Sequence, residues 1–301
     1  MNAPVSEKFR DPSLVDFGTD AAGTGRRLEL LGGVLVDRPL AGEGLPRRRL
    51  PHWSDAGAVF RPPADGGDGW TFPAPPPIDW RVIVPLAGGR TELALAVRPA
   101  PSGQVGVFLE QAEQWDWLAR VTPAGSGVLS LFAHSGAATL ALAAAGARVV
   151  HVDASRQAIA LARRNAADSG LDAAAIRWVC EDARTFVARE LRRGVRYDGA
   201  VLDPPSWGHG PKGQAFAIDR DLVPLLTDVG RLVAGSAGGP PAGPLLLTCH
   251  SPRWHRRRLH DTLAAASPAD PADRIESGPL ACVDAFGRSL PLGDFARRPP
   301  G

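Results

Sequence analysis

The chain has 301 residues, 34 Lys+Arg against 32 Asp+Glu, a net charge of +2 and 44% hydrophobic residues. That length allows a sizeable core, and the near-balance of charge excludes a global basic field that would by itself announce nucleic acid. Three widely spaced cysteines (Cys180, Cys249, Cys282) exclude a disulfide framework and C-x-x-C metal spacing, which points to a reducing, cytoplasmic setting without a metal.

Residues 1–24 are polar, lack the apolar core of a signal peptide and are expected to form a disordered leader. No run of about twenty apolar residues is present to span a membrane. Residues 25–102 read as a small β-rich accessory domain. Arg26 to Val36 forms a hairpin turning at Gly32-Gly33, Pro62 to Pro77 is loop, and Arg81 to Val84 and Glu92 to Val97 are further strands. Trp53, Trp70 and Trp80 of this domain either fill its core or offer stacking faces to bases. Residues 103–120 bridge to a third region, with Phe108 to Arg120 as helix or loop.

From residue 121 to 301 the pattern changes. Val128–Phe132, Arg148–Val152, Ile176–Cys180 and Tyr197–Leu202 are short apolar runs, the first three each followed by a helix. The first helix stops at Gly146; the second runs from Arg156 to Ser169 with Ser155 as its cap and Gly170 as its end. Such alternation predicts a parallel, doubly wound α/β sheet. Gly235 to Pro244 is a loop before a fifth strand, which runs from Leu245 to Thr248 and is closed by Cys249.

In sheets of this kind ligands bind beyond the carboxyl ends of the strands. Asp153, Asp182 and Asp203 stand at three successive strand ends. Asp153 follows Gly136 by a little under the roughly 20 residues that separate a glycine turn from a ribose-binding carboxylate. Asp182 is placed to accept from an adenine amino group. The turn after the first strand, Ala133 to Ala138, carries one glycine. A dinucleotide needs several there so that backbone amides can approach its pyrophosphate. Adenosine without phosphate does not, and S-adenosylmethionine is such a ligand. Asp203-Pro204-Pro205 removes two N–H donors and leaves rigid carbonyls and one carboxylate. It reads either as a holder for a nucleobase edge or as an ordinary strand-ending turn.

Val128 to Thr139 (VLSLFAHSGAAT), His151 to Ser155 (HVDAS), Glu181 to Arg184 (EDAR) and Leu202 to Pro205 (LDPP) together resemble class I S-adenosylmethionine-dependent methyltransferases. More narrowly they resemble the bacterial 23S rRNA methyltransferase group that includes cytosine-C5 and guanine enzymes. Gly106 to Gln111 (GVFLEQ) is similar to that group's stretch ahead of the catalytic domain, and Leu247 to His250 (LTCH) to its Thr-Cys strand end. His250 stands where the group has a small polar residue, and Ala112 follows Gln111 where an arginine is common.

The resemblance implies a Rossmann-like sheet of order 3-2-1-4-5-7-6 over residues 121–301, with Asp284 to Arg297 as its final antiparallel hairpin, and a small N-terminal antiparallel β domain. It implies S-adenosylmethionine as cofactor and S-adenosylhomocysteine as product, held by Gln111, Phe132, His134, Ser135, Gly136, Asp153, Ala154, Ser155, Asp182, Ala183, Asp203 and Pro204. Methylation of a base in RNA follows as the leading function. A small-molecule or protein methyltransferase, and a degenerate cofactor-binding RNA module, stay open. Asp203 and Cys249 are the candidate catalytic residues. Carbon 5 of cytosine needs a thiolate at carbon 6 before it accepts a methyl group, whereas a buried cysteine is as readily a small hydrophobe. Pro205, Ser206, Trp207, Lys212, Arg256 and Arg257 are expected to contact substrate. Arg253 to His260, the densest basic segment, reads as an RNA-facing surface interleaved with Trp254 or as a solvated helix start. The oligomeric state is not legible.

Overall fold

A computed structural model describes residues 9–40, 45–48, 50–63, 67–210, 213–233, 242–267 and 274–301. The chain divides into two compact units: Met1–Val84 with Ala94–Ala112 and Ala281–Leu290, and Pro85–Leu93 with Glu113–Leu280 and Pro291–Gly301. These limits differ from the sequence expectation of breaks after residues 24, 102 and 120, because a piece of the C-terminal region belongs to the first unit.

The first unit holds a five-stranded sheet, β1 (Ser13–Thr19), β2 (Gly25–Leu31), β3 (Val34–Pro39), β4 (Ala58–Phe60) and β5 (Trp70–Thr71), in that order. The β2–β3 hairpin turns where expected, with Gly32 and Gly33 both at positive φ (56° and 79°), a conformation only glycine takes without strain. Two expectations are corrected. Residues 13–19 are a buried strand rather than disordered leader; the run was hidden by Asp16, which is itself buried and accepts from the Trp53 indole N–H at 2.8 Å. The Pro62 to Pro77 stretch contains β5. The expected small antiparallel sheet is present, with one parallel pair, β3 and β4, within it. Trp53 and Trp80 are core residues, and the Trp80 N–H is spent on the Leu31 carbonyl at 2.7 Å. A separate hairpin joins β6 (Arg81–Leu86) to β7 (Thr91–Ala96).

The bridging segment is a 3₁₀ turn, Leu109–Gln111, running into α1 (Ala112–Val121). Then follow β8 (Gly127–Leu131), α2 (Ala137–Ala144), β9 (Arg148–Asp153), α3 (Arg156–Asp168), β10 (Ile176–Cys180), α4 (Ala183–Arg192) and β11 (Gly199–Leu202). A small hairpin, β12 (Trp207–His209) and β13 (Ala215–Ala217), precedes α5 (Ile218–Val233), β14 (Leu245–Cys249), α6 (Arg256–Ala266), β15 (Glu276–Val283) and β16 (Ser289–Arg298). The seven-stranded sheet runs β10-β9-β8-β11-β14-β16-β15, which is the expected order 3-2-1-4-5-7-6. Strands β8 to β11 and β14 are parallel neighbours, and β16 is antiparallel to β14.

Apolar runs in the inner strands bury Leu129, Leu131, Ala200, Leu202, Leu245 and Leu247 against α4, α5 and α6, as a sheet covered by helices requires. The final hairpin starts at Glu276, not Asp284; Asp284 to Arg288 is its turn, where the Asp284 carboxylate gathers the N–H groups of Phe286 and Arg288. The segment after the Asp-Pro-Pro turn forms the β12–β13 hairpin, and Lys212 lies outside the described residues, as do residues 235–241 of the predicted loop.

Candidate active site

The turn after β8 is held open by unusual backbone. Phe132, His134 and Gly136 all have positive φ (53°, 43° and 86°). A Cβ on Gly136 would stand 2.8 Å from the Ala162 Cβ of α3, so glycine here lets α2 start close against its neighbour. The Ser135 carbonyl is pinned by the buried Asn165 amide at 2.8 Å. Asp153, at the end of β9, is aimed by two backbone donors at 2.8 Å: His134 N–H on Oδ2 and Ser155 N–H on Oδ1. An ionised carboxylate offers about four acceptor positions, so the pair of oxygens is oriented with capacity left for a diol. Ser155 caps α3 by accepting the Ala158 N–H, which sets the Ala154-Ser155 corner.

Below this turn lies a buried polar group that sequence reasoning missed. Thr139 Oγ1 bonds both Ser130 Oγ (3.1 Å) and His151 Nδ1 (3.0 Å). Burial pushes the His151 pKa down to about 3, so the ring is neutral, and among the described residues its Nε2 meets no hydrogen-bond partner. The only sequence signal was the polar pair Ser130 and Thr139 set in apolar runs.

Asp182 is engaged within the protein. It caps α4 through the Thr185 N–H at 3.1 Å and holds the Arg184 guanidinium at 3.1 and 3.3 Å. A Cβ on Gly210 would come within 3.2 Å of its Oδ2, so the β12–β13 hairpin passes directly over this strand end. Ala183 is buried in the first turn of α4.

Asp203 ends β11, and its N–H reaches the Leu131 carbonyl at 3.4 Å. Its Oδ1 accepts from Thr248 Oγ1 at 2.7 Å and lies 3.8 Å from His250 Nε2. Pro204 is buried while Pro205, Ser206 and Trp207 are exposed. Ser206 Oγ and Ser251 Oγ are hydrogen-bonded, tying the Asp-Pro-Pro turn to the end of β14. Trp207 is 60% exposed and meets His209 edge-on, ring centroids 4.2 Å apart.

Cys249 is adjacent to these groups but faces away from them. It is 1% exposed and belongs to the core cluster with Leu245 and Leu247, one side of the alternating strand. Burial raises its thiol pKa, against the Ser251 N–H that contacts Sγ at 3.4 Å. Thr248 and His250 occupy the Asp203 side of β14.

Arg256 and Arg257 are exposed in the first turn of α6, the former donating its N–H to Asp294. Trp254 corrects the expected RNA-facing surface: it is 1% exposed, with its N–H on Asp219 at 2.9 Å and the Arg258 guanidinium 3.8 Å over its ring. An indole so large is better buried than wetted. Gln111 is buried in the first unit. Among the described residues no group of His, Cys, Asp and Glu is placed to hold a metal ion, and no helix is long and apolar enough to cross a membrane.

A carboxylate fixed at the end of β9, a one-glycine turn beside it and an apolar Phe132 fit an adenosine ligand and lack a pyrophosphate cradle. Together with the 3-2-1-4-5-7-6 sheet they define a class I methyltransferase. The profile of the S-adenosylmethionine-dependent methyltransferase family matches residues 79–271. A SAM-dependent methyltransferase from Agrobacterium tumefaciens is 33% identical, with a TM-score of 0.79 over 96% of this chain and 90% of its own. The chain belongs to the S-adenosylmethionine-dependent methyltransferase family. A methyltransferase solved in complex with SAH shares the fold (TM-score 0.69, 15% identity, 97% of this chain and 77% of that one). Ribosomal RNA large subunit methyltransferase I of Aeromonas hydrophila is 32% identical over 118 residues, 39% of this chain and 29% of that protein. Ribosomal RNA large subunit methyltransferase K of Neisseria meningitidis is 31% identical over 115 residues, 38% and 32% respectively. The chain thus spans about a third of the length of these rRNA relatives. It is an S-adenosylmethionine-dependent enzyme.

Proposed function

We propose that the enzyme methylates a base in RNA, in the cytoplasm, and that the acceptor is a nitrogen rather than carbon 5. The observation that carries the choice of atom is the direction of Cys249: its side chain packs with Leu245 and Leu247 and its pKa is raised, so it rests as a thiol in the core. The RNA reading is supported by the rRNA methyltransferase relatives, by exposed Trp207 beside the Asp-Pro-Pro turn, which offers a stacking face, and by exposed Arg256 and Arg257 near the end of β14.

When bound, S-adenosylmethionine supplies an electrophilic methyl group on a sulfonium. Asp153 would bind its ribose hydroxyls, with Phe132, His134, Ser135 and Gly136 shaping the adjoining turn. Ala154, Ser155, Asp182 and Ala183 would border the adenine, and Asp203 and Pro204 would border the methyl group. Asp203, fixed by Thr248, would accept an N–H of the target base, and the rigid Pro204-Pro205 backbone would keep that edge in place. Pro205, Ser206 and Trp207 would line the base, and Lys212, Arg256 and Arg257 would take phosphates.

A second reading keeps Cys249 as nucleophile on cytosine, favoured by the Ser251 N–H on its sulfur, which would stabilise a thiolate. RNA carrying 5-fluorocytosine separates the two. A covalent protein–RNA adduct lost in Cys249→Ala supports the carbon route; an unmodified, active Cys249→Ala enzyme supports the nitrogen route. RNA from a strain lacking the gene should lose one methylated base, and intact RNA methylation would refute the RNA reading.

A further inference from the structure

Resting on that reading, we propose that Arg184 is a positioning residue: it ties Asp182, at the adenine end of the cofactor site, to the β12–β13 hairpin, and so fixes the strand on which Trp207 meets the RNA. Its guanidinium is used on both edges. Nε and one terminal nitrogen hold the two Asp182 oxygens at 3.3 and 3.1 Å. The other terminal nitrogen donates to the Ala215 carbonyl at 3.1 Å and lies 3.0 Å from Asp221 Oδ2. A planar fork spans these partners; a lysine ammonium, a point charge on a flexible stem, does not.

The hairpin register shows what this grip controls. Trp207 pairs with Ala217, and His209 with Ala215. Arg184 holds the Ala215 carbonyl, and Asp221 accepts the Ala217 N–H at 2.8 Å. Both fixed points therefore lie on β13, opposite the strand that carries exposed Trp207. Arg220 reinforces the pair. It donates to the same Ala215 carbonyl at 2.7 Å and to Asp221, whose carboxyl it pulls down to about 2. Buried Phe216 of β13 packs on Phe132 of the cofactor turn, ring centroids 5.0 Å apart. Strand β13 is thus anchored from the cofactor side through its backbone and its buried side chain.

Helix stability does not call for an arginine here. Arg184 stands in the first turn of α4, where positive charge opposes the helix dipole, and Asp182 already caps that helix through the Thr185 N–H. What the side chain gains from this position is its reach to β13 and to Asp221 of α5.

The test uses the intact enzyme and an unmodified large-subunit rRNA transcript. Arg184→Gln should raise the KM for this RNA about tenfold, the size of one lost base–aromatic stack, with kcat and S-adenosylhomocysteine affinity within about threefold. Arg184→Lys keeps the charge and loses the fork, so it should behave as Arg184→Gln does; wild-type kinetics in the lysine variant would overturn the proposal. Trp207→Ala should cost a similar factor in RNA affinity, and the double variant no more than the larger single loss. Losses that multiply in the double variant would mean that Arg184 does not act through the hairpin. Hydrogen exchange, read without RNA, should be about tenfold faster over Trp207–His209 and Ala215–Ala217 in Arg184→Gln, with β10 unchanged. Wild-type exchange there would also overturn the proposal. Unchanged RNA affinity in Trp207→Ala, or no RNA methylation by the wild type, would refute the RNA reading instead, and the exchange rates would still decide the role of Arg184.

Discussion

Gly136→Ala tests the construction of the cofactor turn in energetic terms. At φ 86° an alanine pays the left-handed penalty of about 1–2 kcal/mol. Its Cβ would also lie 2.8 Å from the Ala162 Cβ, and such overpacking against a helix costs about 1–3 kcal/mol. The expected loss of unfolding free energy is therefore about 2–5 kcal/mol, measured by urea denaturation with the slope unchanged. Ala162→Gly removes the colliding methyl at about 1 kcal/mol of helix propensity. In the double variant the overpacking disappears and only the backbone penalty remains, so the two changes should couple favourably by about 1–3 kcal/mol. Calorimetry with S-adenosylhomocysteine should show weaker binding in Gly136→Ala, partly recovered in the double variant. If the two losses simply add within about 0.5 kcal/mol, the contact between the turn and α3 does not constrain the site.

Asp153→Ala should weaken S-adenosylhomocysteine by about 1–3 kcal/mol, the cost of a lost charged hydrogen-bond partner, with NAD binding to neither protein; tight NAD binding would contradict the ligand assignment. Replacing Arg256 and Arg257 with Gln should lower RNA affinity and flatten its salt dependence while leaving cofactor affinity alone. An unchanged salt slope would make them solvated helix residues. His151 supplies a pH test. Its folded pKa of about 3 lies below the ordinary value of 6.5, so between these values the unfolded chain binds the extra proton. Stability from this group should fall on acidification through that window by up to about 1.4 kcal/mol per pH unit, and His151→Gln should remove that slope in unfolding titrations.

Most of the nucleotide-binding sheet was legible because its strands are apolar runs that end in acidic residues, and the helices between them carry their own start and stop signals. Asp153 and the Gly136 turn were singled out as candidates by their spacing and by the family resemblance. Strand β1 was missed because Asp16 and Gly18 interrupt the run; tertiary donors, the Trp53 indole, the Arg48 N–H and the Arg288 guanidinium, make the buried carboxylate tolerable. The C-terminal hairpin was misplaced because Asp284 reads as a strand start, whereas its side chain builds the turn. His250 went unplaced for a different reason. Which side of β14 faces Asp203 depends on the parallel register of β11 and β14, where Leu202 meets Leu247, and no local pattern encodes that register. The same register sets Cys249 beside Leu245 and Leu247 in the core cluster.

The most direct measurement is nucleoside mass spectrometry of RNA incubated with the purified enzyme and isotopically labelled S-adenosylmethionine. Label should appear on a base nitrogen of the RNA, and should disappear with Asp203→Asn. Label in 5-methylcytidine, or in protein or small molecules with none in RNA, would contradict the proposed methylation of a base nitrogen in RNA.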